Sequence, residues 1–292
     1  MIGQYGHYDD DKYIRDFRND FYGIEACLLK DNTEIQKLIT AANKNRFNIG
    51  IHYPLRDSGL RLRDPQFLSK DNVIRKNSFE YMKDEFEFLR EIKPKYVLIH
   101  YPKPVILDNS VDWTNWRFAD ETEYYYEYDY SFEEFLEKSE KFFSWFNEKG
   151  KKYGFIPVIE LDALNRYVYD SDILEILLNK YKKIRLCLDI GRLHLQDKID
   201  INFNSYEFTK RYAKYAKVIH LWNVKVTNNV DNSHFPVLPY LKPEDGWADI
   251  GAYLKIIQKE NTTCKILFEH RSDLITNEDL ESCYNWVQNL LV

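Results

Sequence analysis

No apolar run in this chain approaches the roughly 20 residues that a membrane-spanning helix requires. The opening segment, Met1 to Asp10, has no basic region followed by an apolar stretch, so a cytoplasmic protein without a membrane anchor is expected. Cysteine is scarce and scattered. Cys27, Cys187, Cys264 and Cys283 form no Cys-x-x-Cys pair, which argues against a thiolate zinc site and for buried free thiols in a reducing compartment. Positive charge is in deficit, with 41 Lys and Arg against 47 Asp and Glu and a net charge of −6. That balance supplies no general field for polyanions and counts against nucleic acid as the main partner.

What is present is a soluble, globular composition, 44% hydrophobic and 30% charged. A length of 292 residues would permit two domains, yet α/β barrels occupy this size as one. A single domain over 1–292 is the expectation.

The most informative stretch is Ile184-Arg-Leu-Cys-Leu-Asp189-Ile-Gly-Arg192-Leu-His194. It is an apolar run too short for a helix, ends on a carboxylate and meets a glycine two residues later, as a buried strand entering an active-site loop would. The same design recurs at Phe47 to His52, Tyr96 to His100, Phe155 to Glu160, Lys217 to His220 and Lys265 to Glu269. Every one of these runs ends in Asp, Glu or His, although such residues are a minority, 47 acidic side chains and 7 histidines in all.

Taken in order, Met1 to Tyr5 and Phe21 to Leu28 supply two further strands. Helices are expected over Asp11 to Asn19, from a Thr33/Gln36 capping box, over Ser78 to Ile92 and from a Ser131/Glu134 capping box. Others fall at 171–182, 205–216, 249–260 and from Asn277. Two long loops stand out: 101–130, carrying Trp113 and Trp116, reads as a lid, and 223–248 as a second active-site loop. Strict strand–helix alternation implies a parallel sheet, and eight such units close into a (β/α)8 TIM barrel with its site at the carboxyl ends of the strands. With side chains alternating along a strand, an inward Glu160 places Val158 and Ile156 inward below it, and an inward Asp189 does the same for Cys187.

Glu160, Asp189, His220 and Glu269 come from four consecutive strands. Carboxylates crowded together repel unless a cation sits among them, so these four are read as the ligands of a divalent metal. Three oxygens and one imidazole suit Mn²⁺ first, with Mg²⁺, Co²⁺ or Zn²⁺ as alternatives. Glu160 and Glu269 stand on non-neighbouring strands and can flank a substrate, which is equipment for removing a proton and returning it. His52, His100, Arg192, His194, Trp222, Lys225, His234, Arg271 and Trp113 are the expected substrate contacts, the cations for a phosphate or carboxylate and the aromatics for a sugar. His7 and His270 are read as structural, and aromatic loops at the mouth are compatible with a homodimer.

The series Glu160, Asp189, His220, Glu269, with Gly246-Trp-Ala-Asp-Ile250 before a helix, resembles the xylose isomerase-like TIM barrels. These include sugar isomerases, D-tagatose 3-epimerase-type enzymes and endonuclease IV-type abasic-site nucleases. In the epimerase branch the resemblance implies one metal, usually Mn²⁺, a sugar or sugar phosphate substrate, and proton exchange by Glu160 and Glu269. The nuclease branch, a zinc-dependent alternative, adds His52, His100, a histidine three residues after the Asp189 equivalent, and an Asp-x-His pair. Here Arg192 stands at the third place, and the pair is Asp231-x-x-His234. Another alternative is a barrel that binds a metabolite without turning it over.

Overall fold

Each strand's inward and outward side chains sort by alternation, and that sorting builds the molecule. The computed structural model describes residues 1–57, 59 and 61–291. Strands β1 (Ile2–Tyr5), β2 (Gly23–Cys27), β3 (Asn48–His52), β4 (Tyr96–Tyr101), β5 (Ile156–Leu161), β6 (Arg185–Asp189), β7 (Ala216–Leu221) and β8 (Lys265–Phe268) run parallel, in chain order, round a closed barrel. β8 returns to β1 through Ile2 opposite Phe268. This is the expected (β/α)8 architecture.

Outward residues such as Ile24, Ile51, Ile99, Ile159, Leu188 and Ile219 join the core between barrel and helices. Inward ones, Tyr96, Leu98, Val158, Cys187, Val218 and Leu267, form a separate plug inside the barrel. Val158 and Cys187 therefore lie below Glu160 and Asp189 as alternation requires, with Ile156 packed against them. The free cysteines are as expected, with Cys27, Cys187 and Cys283 buried and Cys264 partly so.

The helices are α1 (Asp10–Asp16), α2 (Asn32–Asn45), α3 (Asn72–Ile92), α4 (Phe132–Tyr153), α5 (Arg166–Tyr169), α6 (Ile173–Lys180), α7 (Ile190–Ile199), α8 (Ser205–Tyr212), α9 (Ile250–Glu260) and α10 (Asn277–Leu290). Ser131 caps α4 by accepting from Glu134 N–H, as expected. Other boundaries are corrected. Asp31, not Thr33, caps α2, because its carboxylate reaches the N–H groups of both Thr33 and Glu34. Asp71 starts α3 six residues before Ser78 in the same way. The helix expected over 171–182 is α6, and the short α5, capped by Asn165, precedes it.

The segment after Asp189 is a helix, not a loop. Asp189 is the N-cap of α7 and accepts from Arg192 N–H at 2.9 Å. Gly191 reflects close packing, since a Cβ there would lie 2.4 Å from the Trp222 ring. The two long loops also carry structure. Within 101–130, Val105–Leu107 pairs in parallel with Tyr124–Tyr126, and within 223–248 Asn223–Val226 pairs antiparallel with Val230–Phe235. Among the described residues no helix is long and apolar enough to cross a membrane.

Candidate active site

Strand register brings the expected residues to one level. His100 pairs with Glu160 across β4 and β5, and Asp189 with His220 across β6 and β7. Glu269 lies one residue past β8, its N–H donating to Leu221 O at 3.1 Å so that it stays in line with the ladder. His52, His100, Glu160, Asp189 and His220 are buried, and Glu269 nearly so.

Three imidazole nitrogens crowd one carboxylate oxygen. Glu160 Oε2 is 3.2 Å from His52 Nε2, 3.3 Å from His100 Nε2 and 3.5 Å from His220 Nδ1. His220 Nδ1 is also 3.1 Å from Glu269 Oε2. None of these approaches has hydrogen-bond alignment, so Glu160 Oε2, His220 Nδ1 and Glu269 Oε2 are all buried without a hydrogen-bond partner. Buried polar atoms left open cost free energy, and in native proteins they usually have a partner or an ion. One ligand atom each from Asp189, His220 and Glu269, and likewise from Glu160, Cys187 and His220, lie within 4.8 Å of one another. The oxygen and imidazole donors fit a divalent cation.

The charges are strongly coupled. Burial, then repulsion from Glu269 and Glu160, pushes the Asp189 carboxyl up to about 7. Burial works the same way on Glu269, but the His220 imidazole outweighs it and brings the carboxyl down to about 2. At Glu160 burial is overcome by His100 and His220, which hold it well below the usual carboxylate range. Burial favours neutral His220, yet the Cys187 sulfur and the Glu269, Glu25 and Glu160 carboxylates hold it well above its ordinary value. The ring thus keeps positive and negative groups together in a space that water does not screen.

Arg192 joins this ring. Its Nε stands 3.4 Å from Glu160 Oε1 and 3.5 Å from Asp189 Oδ2, and its Nη1 donates to Asp162 Oδ1 at 2.8 Å. Trp222 lies under His234, ring centroids 4.1 Å apart and planes 5° from parallel. His234 has φ +51°, and its carbonyl accepts from Arg271 N–H at 2.9 Å.

Other expected contacts lie away from the ring. His194 sits on the far face of α7 from Arg192 and directs Nε2 at Gly246 O, 3.1 Å away. The Arg271 side chain is 61% exposed and pairs with Asp273. Lys225 is held in the hairpin opposite Asn232. Trp113 packs edge-to-face on Trp116 in the apolar cluster that segment 101–130 forms with Leu195, Trp222 and Val224, its indole N–H donating to Asp108 O.

The structure adds residues that strand-end reasoning does not reach. Asp64 Oδ2 is 2.8 Å and Arg63 Nη2 2.9 Å from His100 Nδ1, while Nε2 faces Glu160. Lys103, buried, lies 2.8 Å from Asp162, 3.5 Å from Asp64 and 3.4 Å from Glu123. Asp162 also accepts from the Trp116 indole N–H at 3.1 Å. Segment 101–130 is thereby tied to Arg192 through one carboxylate. Glu25 on β2 is fully buried and lies 3.1 Å from His220 Nε2. A polar residue in a strand's middle was the only signal for it. A cavity of about 490 Å³ lies between residues 121–125 and the start of α3, with Arg63 and Asp64 but no residue of the ring in its wall.

No protein-family model and no curated sequence relative matches the chain. Solved structures do. A D-tagatose 3-epimerase-like protein superposes with TM-score 0.62 at 15% identity, over 99% of this chain and 96% of that one. A 3-keto-D-glucoside 4-epimerase from E. coli gives 0.60 at 10% identity, over 99% and 98%. An IolI protein with a bound zinc atom gives 0.57 at 12% identity, over 100% and 98%. The chain shares the TIM-barrel fold of these proteins. At such identities the likeness concerns the fold alone, and the chemistry of this barrel has to be argued from its own ring.

Proposed function

We propose that this chain is a metal-dependent isomerase or epimerase of a small sugar or sugar phosphate. The observation that carries the reading is the convergence of three buried, partnerless ligand atoms, Glu160 Oε2, His220 Nδ1 and Glu269 Oε2, beside Asp189. Glu160, Asp189, His220 and Glu269 would hold the cation, with Mn²⁺ favoured by the oxygen-rich donor set. A bound divalent cation polarises a substrate carbonyl or hydroxyl and so acidifies the adjacent C–H. The epimerases among the solved structures of the same fold, and the zinc in another, support an enzyme of this kind.

The chain's own residues take the remaining roles. Glu160 and Glu269 reach the site from non-neighbouring strands, and one removes a proton from the carbon while the other returns it. His52 and His100 border Glu160 and offer hydrogen bonds to substrate hydroxyls. Arg192 lies beside the carboxylates with 27% of its side chain exposed, and contacts the substrate's oxygens or phosphate. The Trp222–His234 stack gives a flat wall for the apolar face of a sugar. Arg192 between Glu160 and Asp189 also favours a one-metal site over the three-zinc nuclease, because its guanidinium already neutralises those carboxylates.

The test is a panel of ketoses, aldoses and their phosphates in deuterated water with the Mn²⁺-loaded protein. Deuterium entering one carbon adjacent to a carbonyl, and lost in Glu160→Gln and Glu269→Gln, is expected. A loaded protein that exchanges no proton of any sugar would favour the non-catalytic barrel.

A further inference from the structure

The ring contains a carboxylate that neither the proposed metal set nor the proposed proton transfer uses. We propose that Glu25 is a positioning residue that fixes His220 as the Nε2–H tautomer and so presents its Nδ1 lone pair to the cation. The inference rests on the metal reading above and adds a residue to it.

Four observations carry it. The two nitrogens of His220 face different groups: Nε2 is hydrogen-bonded to Glu25 Oε2 at 3.4 Å, with Oε1 3.1 Å away, whereas Nδ1 faces Glu269 and Glu160 at 3.1 and 3.5 Å. Glu25 itself is clamped, accepting from Tyr5 O–H at Oε1 and from Tyr96 O–H at Oε2, both at 2.8 Å. Glu25 and His220 are each fully buried, so no water competes for these bonds. Finally, the barrel interior is cleared for the clamp. Gly3 and Gly50 stand opposite Glu25 on the two neighbouring strands, and a Cβ at either would lie 2.8 Å from the Tyr5 ring or 2.2 Å from the Tyr96 ring.

The consequence is chemical. A tyrosine O–H can donate to a carboxylate and so can an imidazole N–H, which makes Glu25 an acceptor for three donors at once. With Nε2 protonated toward Glu25, Nδ1 is the nitrogen left to bind a metal, and the carboxylate raises its basicity. His220 therefore needs no ring rotation on metal entry, only the loss of its Nδ1 proton.

The test uses the full chain, stripped of metal and titrated with Zn²⁺ alone, in wild type and Glu25→Gln. Imidazole ¹⁵N spectra are recorded on histidine-labelled protein, and His220→Asn identifies the His220 signals. Wild type is expected to bind Zn²⁺ with His220 protonated at Nε2 and coordinated at Nδ1. Glu25→Gln is expected to bind about 10–100-fold more weakly and to lose the single tautomer. Coordination through Nε2 in wild type, or a folded Glu25→Gln that binds within two-fold of wild type, would overturn the role of Glu25 while leaving the metal site standing. Wild type that binds no Zn²⁺ overturns both. Should Glu25→Gln fail to fold, the wild-type spectrum alone decides.

Discussion

One step of two residues along a barrel strand separates two regions with opposite energetics. Leu98, Val158, Cys187, Val218 and Leu267 fill the barrel as an apolar plug, and His100, Glu160, Asp189, His220 and Glu269 stand directly above them. Both tiers are shielded from water and both come from the same strands. The plug gains by burial at about 25 cal/mol per Å² of apolar surface. The ring loses by it, and keeps ligand atoms buried without partners. Stability and chemistry are therefore carried by adjacent tiers of one barrel.

This contrast can be broken from either side. The largest effect is expected from Glu160→Gln and Glu269→Gln. Each should lower turnover by about 10²–10⁴-fold, the usual range for a positioned acid or base, with the metal-free fold retained by circular dichroism. Near-normal rates in both would end the proton-transfer assignment. Next comes the plug, where Leu98→Ala or Leu267→Ala should cost about 2–5 kcal/mol in chemical denaturation yet leave the number of metal ions per chain unchanged. A changed metal count in a folded variant would mean that the two tiers are not separable. Stripping the metal should lower the thermal midpoint reversibly. Loss of about 2.7 kcal/mol is expected if the ion had been present at 100 times its dissociation constant, and calorimetry with and without added Mn²⁺ checks it. The smallest effect belongs to Arg271→Ala. An exposed Arg paired only with Asp273 should be worth under about 0.5 kcal/mol and change turnover less than two-fold. A larger loss of turnover would return Arg271 to the substrate.

Reading of the ring from sequence succeeded where the signal was periodic. His52 and Asp189 end their strands, His100, Glu160 and His220 stand one residue before the end, and Glu269 follows directly, because an inward side chain at the carboxyl end of a parallel strand faces the mouth. It failed where position depended on loops. Asp64 and Lys103 stand in segments with no period, and only the path of those segments brings Lys103 within 3.5 Å of both Asp64 and Asp162. His194 and Arg271 were the converse: near the right strands in sequence, but turned to Gly246 and Asp273. Asp189 shows how one residue type serves two local structures. A carboxylate after an apolar run signals the end of a strand equally well whether a loop follows or, as here, it caps a helix.

By itself, then, the sequence determined the barrel, its plug and the residue types at the strand ends, since a two-residue alternation and a strand–helix rhythm are properties of the chain's local geometry. Only the tertiary structure decided which of those residues meet, which nitrogen of His220 faces the carboxylates, and that Glu25 stands behind it. Those outcomes depend on closure of the barrel, which sets residues 195 positions apart in contact across an interior that no local pattern describes.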